Sequence, residues 1–161
     1  MVKQTVLFII FLLLLGCDCE ELTLQRENYM GNELRIDGFY TAKLYRYDPF
    51  ITSIYVLYNN GVLFEPGGIE GDNREDLLDF MSNLKDRDFN SREGDRTSWG
   101  IFIIDGNNIF IEKWFPSASC TTSQLKGRIT SDTSFVLENN NEEYIFNEYS
   151  QKPDSTNIFI D

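Results

Sequence analysis

The chain has 161 residues, enough for one hydrophobic core, and its 42% hydrophobic, 14% aromatic and 25% charged composition is that of a folded domain rather than a disordered segment. It contains no histidine, which excludes a Ser-His-Asp triad, a histidine general base and a histidine-ligated metal. A formal charge of −12 argues against a nucleic-acid ligand, because phosphate binding needs a basic surface.

The chain opens Met1-Val2-Lys3-Gln4, and after that one positive charge an unbroken apolar run extends from Val6 to Leu15. As a helix that run would span about 15 Å, half the thickness of a bilayer core, too short for a permanent span and right for the hydrophobic region of a secretory signal. The residues that follow, Leu14-Leu15-Gly16-Cys17, resemble the lipobox of bacterial lipoproteins. The resemblance implies that the Cys17 thiol carries a diacylglyceryl group and that residues 1–16 are removed as a signal peptide. It implies further that the new amino terminus is acylated. Two or more acyl chains give stable anchoring, at about 0.8 kcal/mol per buried methylene.

Asp18-Cys19-Glu20-Glu21 comes next. Acidic residues behind the lipidated cysteine resemble a surface-export signal in some Gram-negative bacteria and an inner-membrane retention signal in others. The expected address is the bacterial cell envelope, at the outer membrane on its periplasmic face or at the cell surface. Cys19 and Cys120 remain as candidates for one disulfide, which that compartment permits; the alternative is two separate thiols. Residues 17–32 read as the lipidated cysteine and a flexible tether, 33–150 as one β-rich domain and 151–161 as a tail.

Two alanines, Ala42 and Ala118, against 13 Phe and 8 Tyr favour sheet over helical bundle. Leu34, Ile36, Gly38, Tyr40, Ala42 and Leu44 alternate with other residues, the period of a half-buried strand bent near Gly38. Ile51 to Phe64 reads as a hairpin whose Asn59-Asn60-Gly61 supplies a tight type I′ turn, and Pro66-Gly67-Gly68 is expected to break its second strand. Asp72 or Asn73 can cap a helix over about 73–87, with Leu77, Leu78, Phe80, Met81 and Leu84 as its apolar stripe, expected to cover the open side of the sheet. Further hairpins follow: Trp99–Ile104 with Ile109–Phe115 around Asp105-Gly106, then Gln124–Thr130 with Ser134–Glu138 around Ser131-Asp132. Glu143–Tyr149 follows Asn139-Asn140-Asn141, and Ile158-Phe159-Ile160 is expected either as a short edge strand or packed on the core.

About eight strands joined by short turns, with one inserted helix, predict a mainly β fold: an antiparallel meander forming a barrel or a strongly curved sheet. Four fragments resemble the lipocalin-like lipoproteins of Gram-negative bacteria: Leu34–Tyr40, Tyr58–Val62, Trp99–Asn107 and Gly127–Phe135. The resemblance implies a lipocalin-like barrel; the helix between the third and fourth strands departs from the family pattern, in which it usually follows the barrel.

The chemistry-bearing motifs are few. No P-loop, G-x-S-x-G, G-x-G-x-x-G or C-x-x-C stands in the sequence, and no carboxylate pair separates itself from the many acids. Asp86-x-Asp88-x-Asn90 opens like a calcium loop, but Ser91 and Thr97 occupy the positions of the required glycine and glutamate, so a solvated loop is expected and no metal. No catalytic residue and no cofactor are expected. Tyr40, Tyr55, Trp99 and Trp114 are the candidate ligand-lining aromatics, their alternative role being core. The expected function is a non-enzymatic, lipid-anchored envelope protein. It would bind a small apolar ligand or a partner protein, or serve as a structural accessory subunit of an envelope complex.

Overall fold

The computed structural model describes residues 23–84, 95–115 and 121–161. Cys17, Cys19, Cys120, the signal segment and the Asp86-Asp88-Asn90 loop lie outside them, as do residues 85–87 of the expected helix. Eight strands follow in order: β1 Gly38–Leu44, β2 Ile51–Leu57, β3 Val62–Glu70, β4 Trp99–Asp105, β5 Asn108–Trp114, β6 Thr122–Ser131, β7 Ser134–Leu137 and β8 Glu142–Glu148. Each pairs antiparallel with its successor, and β1 closes on β8 through Gly38↔Glu148, Phe39↔Asn147, Tyr40↔Phe146 and Thr41↔Ile145. The fold is therefore a closed, lipocalin-like meander barrel in which every strand has two partners and no edge stays open. One helix, α1 (Arg74–Asn83), and a short 3-10 turn, Arg96–Ser98, lie between β3 and β4.

The barrel has two different ends. The lower end carries the tight turns β2–β3, β4–β5 and β6–β7. The upper rim carries the β1–β2 loop, the long β3–β4 connection, and the β5–β6 and β7–β8 connections. The strand expected from Leu34 begins only at Gly38. Leu34 instead turns under the barrel and closes its lower end with Tyr29 and Ile36. The Tyr29 hydroxyl fixes it, accepting from the Leu34 N–H at 2.8 Å, while Arg35 N–H donates to the Asp132 carbonyl at 2.8 Å.

Both faces of the sheet are buried over much of its area. Inside lie Tyr40, Ala42, Tyr55, Leu57, Leu63, Phe102, Ile109, Ile111, Phe135, Leu137 and Tyr144. A second core covers the outer face of β2 to β5, built on Ile54, Val56, Val62, Phe64, Trp99, Ile101 and Trp114. Its cover comes from three places: Leu77, Met81 and Leu84 of the helix region, Leu24 near the amino-terminal side, and Phe159 and Ile160 of the tail. The helix thus packs on the barrel wall, as its stripe predicted for a covering role. Asn73 caps it by accepting from Glu75 N–H at 2.9 Å, while Asp72, the other candidate cap, pairs with Lys43 at 2.5 Å. From Thr23 onward the expected tether is docked: Leu24 bridges Ile160 in parallel, and Arg26 N–H donates to the Asp161 carbonyl.

Two turn expectations are corrected. Of the turn residues Asn59, Asn60 and Gly61, only Gly61 is left-handed, at φ 80°, so the turn is not type I′ but a hairpin loop closed by a single left-handed glycine. The reason is tertiary: Asn60 donates its amide to Ser155 Oγ at 2.9 Å, and a Cβ on Gly61 would stand 2.0 Å from the Glu27 carbonyl. Pro66 does not break β3, which runs on to Glu70. β3 pairs with β4 only through Val62, Leu63 and Phe64, and the register shifts between Ile54 and Val56 on β2. Proline is tolerated at such a bulged, one-sided stretch because its missing N–H has no ladder bond to make there.

Candidate functional site

The four sequence-predicted aromatics do not converge. Tyr40 and Tyr55 point inward and are buried, whereas Trp99 and Trp114 are buried in the outer core. The inward pair joins a continuous ring stack. Tyr55 stacks on Tyr144 at 4.5 Å between centroids, Tyr144 on Phe135 at 5.0 Å, and Phe135 meets Tyr40 at 5.2 Å. Phe146 adds an edge contact to Tyr40 at 5.5 Å. The rings fill the barrel's midsection, at separations where aromatic pairs attract beyond their buried area.

The phenols of this stack are tied to the wall. Tyr40 donates to the Arg35 carbonyl at 2.8 Å, and the Tyr144 hydroxyl lies 3.4 Å from Ser53 Oγ. Burial holds the Tyr55, Tyr144 and Tyr40 hydroxyls above the ordinary phenol range. Each ring thus acts as a neutral packing element whose single polar atom is satisfied, which suits a filled core better than a ligand wall.

Above the stack, toward the upper rim, the interior turns polar. Lys113 on β5 and Glu65 on β3 form an ion pair, both side chains mostly enclosed. Lys113 Nζ also reaches Tyr55 Oη at 3.5 Å and lies over the Tyr55 ring at 5.2 Å. Burial pushes the Lys113 ammonium down to about 8, while the Glu65 carboxylate in contact with it acts in the opposite sense. The pair borders a depression of about 590 Å3 that Asp95, Thr97, Ser98 and Ser123 also line. It presents the Lys113 cation, carboxylates and hydroxyls beside Pro66, Trp114, Phe115 and Leu125, a mixed polar and apolar lining.

Neither residue was singled out from the sequence. Lys113 was nevertheless legible there, two and four residues after Ile111 and Ile109 in a period-two strand, and so on their inward face. Glu65 was hidden because it stands beside Pro66, where the strand was expected to stop.

The outer core holds one unsatisfied donor: Trp114 Nε1 is buried with no hydrogen-bond partner among the described residues. The Arg96 guanidinium lies 4.6 Å over the Trp114 ring and 5.4 Å from that of Phe159, sealing this corner of the core with a cation. On the uncovered part of the wall, Ile103 and Phe110 are cross-strand partners, 36% and 40% exposed, beside a shallow depression of about 460 Å3. Among the described residues no group of three or more metal-type side chains is placed to hold an ion. No family model, curated protein or solved structure matches the chain.

Proposed function

We propose that this chain is a lipid-anchored, non-enzymatic protein of the bacterial cell envelope that works by binding a partner protein, as an accessory component of an envelope complex. The Cys17 thioether is its anchor, and the outer membrane is its place. The observation that carries the choice of a protein partner over a small apolar ligand is the filled interior. Tyr40, Tyr55, Phe135 and Tyr144 occupy the space in which an apolar ligand would sit, and the remaining depression beside the Lys113–Glu65 pair has a mixed polar and apolar lining. The uncovered Ile103–Phe110 pair supplies the apolar centre that a protein contact needs, with Lys126 and Glu112 at its border.

Placing a photo-crosslinking side chain at Phe110 in the native host tests this. One dominant crosslinked protein is expected, lost in an Ile103→Asp variant that still folds. A stoichiometric small apolar molecule recovered from the purified barrel, with no crosslinked protein, would overturn it.

A further inference from the structure

We infer that the outer wall of β1 and β8 carries a second site, a groove that binds an uncharged saccharide. It lies across the barrel from Ile103 and Phe110 and does not rest on the partner-protein reading. Strand parity makes its floor. Tyr40, Ala42, Tyr144 and Phe146 take inward positions on β1 and β8, so Thr41, Lys43, Ile145 and Asn147 face out, with Thr41 directly across from Ile145. Among the outward residues of these two strands only Phe39 joins the outer core. The β1–β2 loop, the β7–β8 turn and the start of α1 border a groove of about 700 Å3 over the rest, within the range of about 300–1,000 Å3 typical of small-ligand sites.

The chain is strongly acidic, yet this groove is balanced. Lys43, Arg46 and Arg74 line it with Asp72, Glu142 and Glu143. Lys43 pairs with Asp72 and Arg46 with Glu142, so the described lining carries no excess charge of either sign. Asp48, in the same loop as Arg46, does not line it. An ionic ligand would find no complementary field there, which leaves a neutral one.

Fixed donors and acceptors stand in place of net charge. Asn147 donates through its amide nitrogen to Thr41 Oγ1 at 3.0 Å and to the Ile145 carbonyl at 3.1 Å, which orients the side chain and leaves Oδ1 as an acceptor. Asn140 Oδ1 accepts from Glu142 N–H at 3.4 Å, leaving its NH2 as a donor. A hydroxyl both donates and accepts, so a ligand rich in hydroxyls meets both. Tyr45 forms one side of the groove: its ring is 74% exposed and braced against Phe50 at 5.5 Å. The electron-rich face of such a ring attracts weakly positive C–H groups, and Ile145, 53% exposed, adds an apolar contact. A sugar ring joins an apolar C–H face to a rim of hydroxyls. An extended peptide would instead seek a free strand edge, and β1 and β8 pair with each other and with β2 and β7.

Amide chemical-shift mapping on the isotope-labelled mature protein, in micelles of a zwitterionic, sugar-free detergent, tests this with maltotriose, cellotriose and tri-N-acetylchitotriose. At least one of the three is expected to shift residues 41–46 and 140–147 and to leave those around Ile103 and Phe110 unmoved. Tyr45→Ala, a change at an exposed ring, should weaken that binding about tenfold, whereas Tyr45→Phe, which keeps the platform, should bind within about twofold of the unaltered protein. No shift at these residues with any of the three sugars at 20 mM, or unchanged affinity in Tyr45→Ala, overturns the site. Trialanine or a galacturonic acid trimer binding there more tightly than every neutral sugar overturns the assignment to an uncharged saccharide.

Discussion

Removing one ring from the stack measures how fully the barrel is packed. Phe135 is completely buried, parallel to Tyr144 at 5.0 Å and tilted against Tyr40 at 5.2 Å. In Phe135→Ala the neighbouring rings are themselves held, Tyr40 by the Arg35 carbonyl and Tyr144 by Ser53, so they cannot collapse far into the space. The loss should stand at the full value for a buried ring, about 3–5 kcal/mol, with about 1 kcal/mol or more of it from the two aromatic contacts. For a domain of this size that lowers the melting temperature by roughly 10–15 °C. Urea unfolding of the non-lipidated domain, followed by tryptophan fluorescence from Trp99 and Trp114, gives the number. The same variant should gain binding of a small apolar probe such as benzene, which the unaltered barrel should lack. A loss below about 1 kcal/mol, or equal probe binding before and after the substitution, would refute the filled interior.

Three further outcomes follow from the same contacts. In the Lys113–Glu65 pair, Glu65→Gln leaves an enclosed ammonium without its counter-charge and should cost about 1–3 kcal/mol, most of it recovered in the Glu65→Gln/Lys113→Met double variant; a double variant as unstable as the sum of the singles would contradict the coupling. The buried phenols Tyr40, Tyr55, Tyr58 and Tyr144 ionise higher in the folded state than in the unfolded one, so the folded state binds more protons above the ordinary phenol value of about 10 and stability falls as pH rises through that region. Absorbance at the phenolate band should therefore show the exposed tyrosines titrating first and these four only with unfolding. Lys152 donates to the Ile36 and Leu57 carbonyls and sits 4.7 Å over the Tyr58 ring, pinning the tail; Lys152→Met should speed proteolysis of residues 150–161 with a stability loss of about 1–3 kcal/mol.

The strands were legible because most repeat hydrophobic residues at period two between turns rich in Gly, Asn and Asp, and a run of short connections leaves few topologies besides a meander. Which face of a strand lies inside was not legible where both faces are apolar. In Trp99-Gly100-Ile101-Phe102-Ile103-Ile104, parity separates the tryptophan from Phe102 but cannot say which is interior. The answer depends on the second core, assembled from α1, Leu24 and Phe159, segments far apart in sequence. The same long-range cover placed Trp99 and Trp114 outside the barrel and drew residues from Thr23 on out of the expected tether. The early part of the first expected strand failed for a related reason: Leu34 and Ile36 keep strand spacing, but burying them under the barrel with Tyr29 closes its lower end, and a longer β1 would leave that end open.

Native mass spectrometry of the protein extracted intact from its host tests the central claim, an anchored barrel with no room inside, in one spectrum. The predicted mass is that of residues 17–161 plus the acyl groups on Cys17 and its amino terminus, with no further small molecule. A barrel carrying one equivalent of a tightly held apolar compound would contradict it.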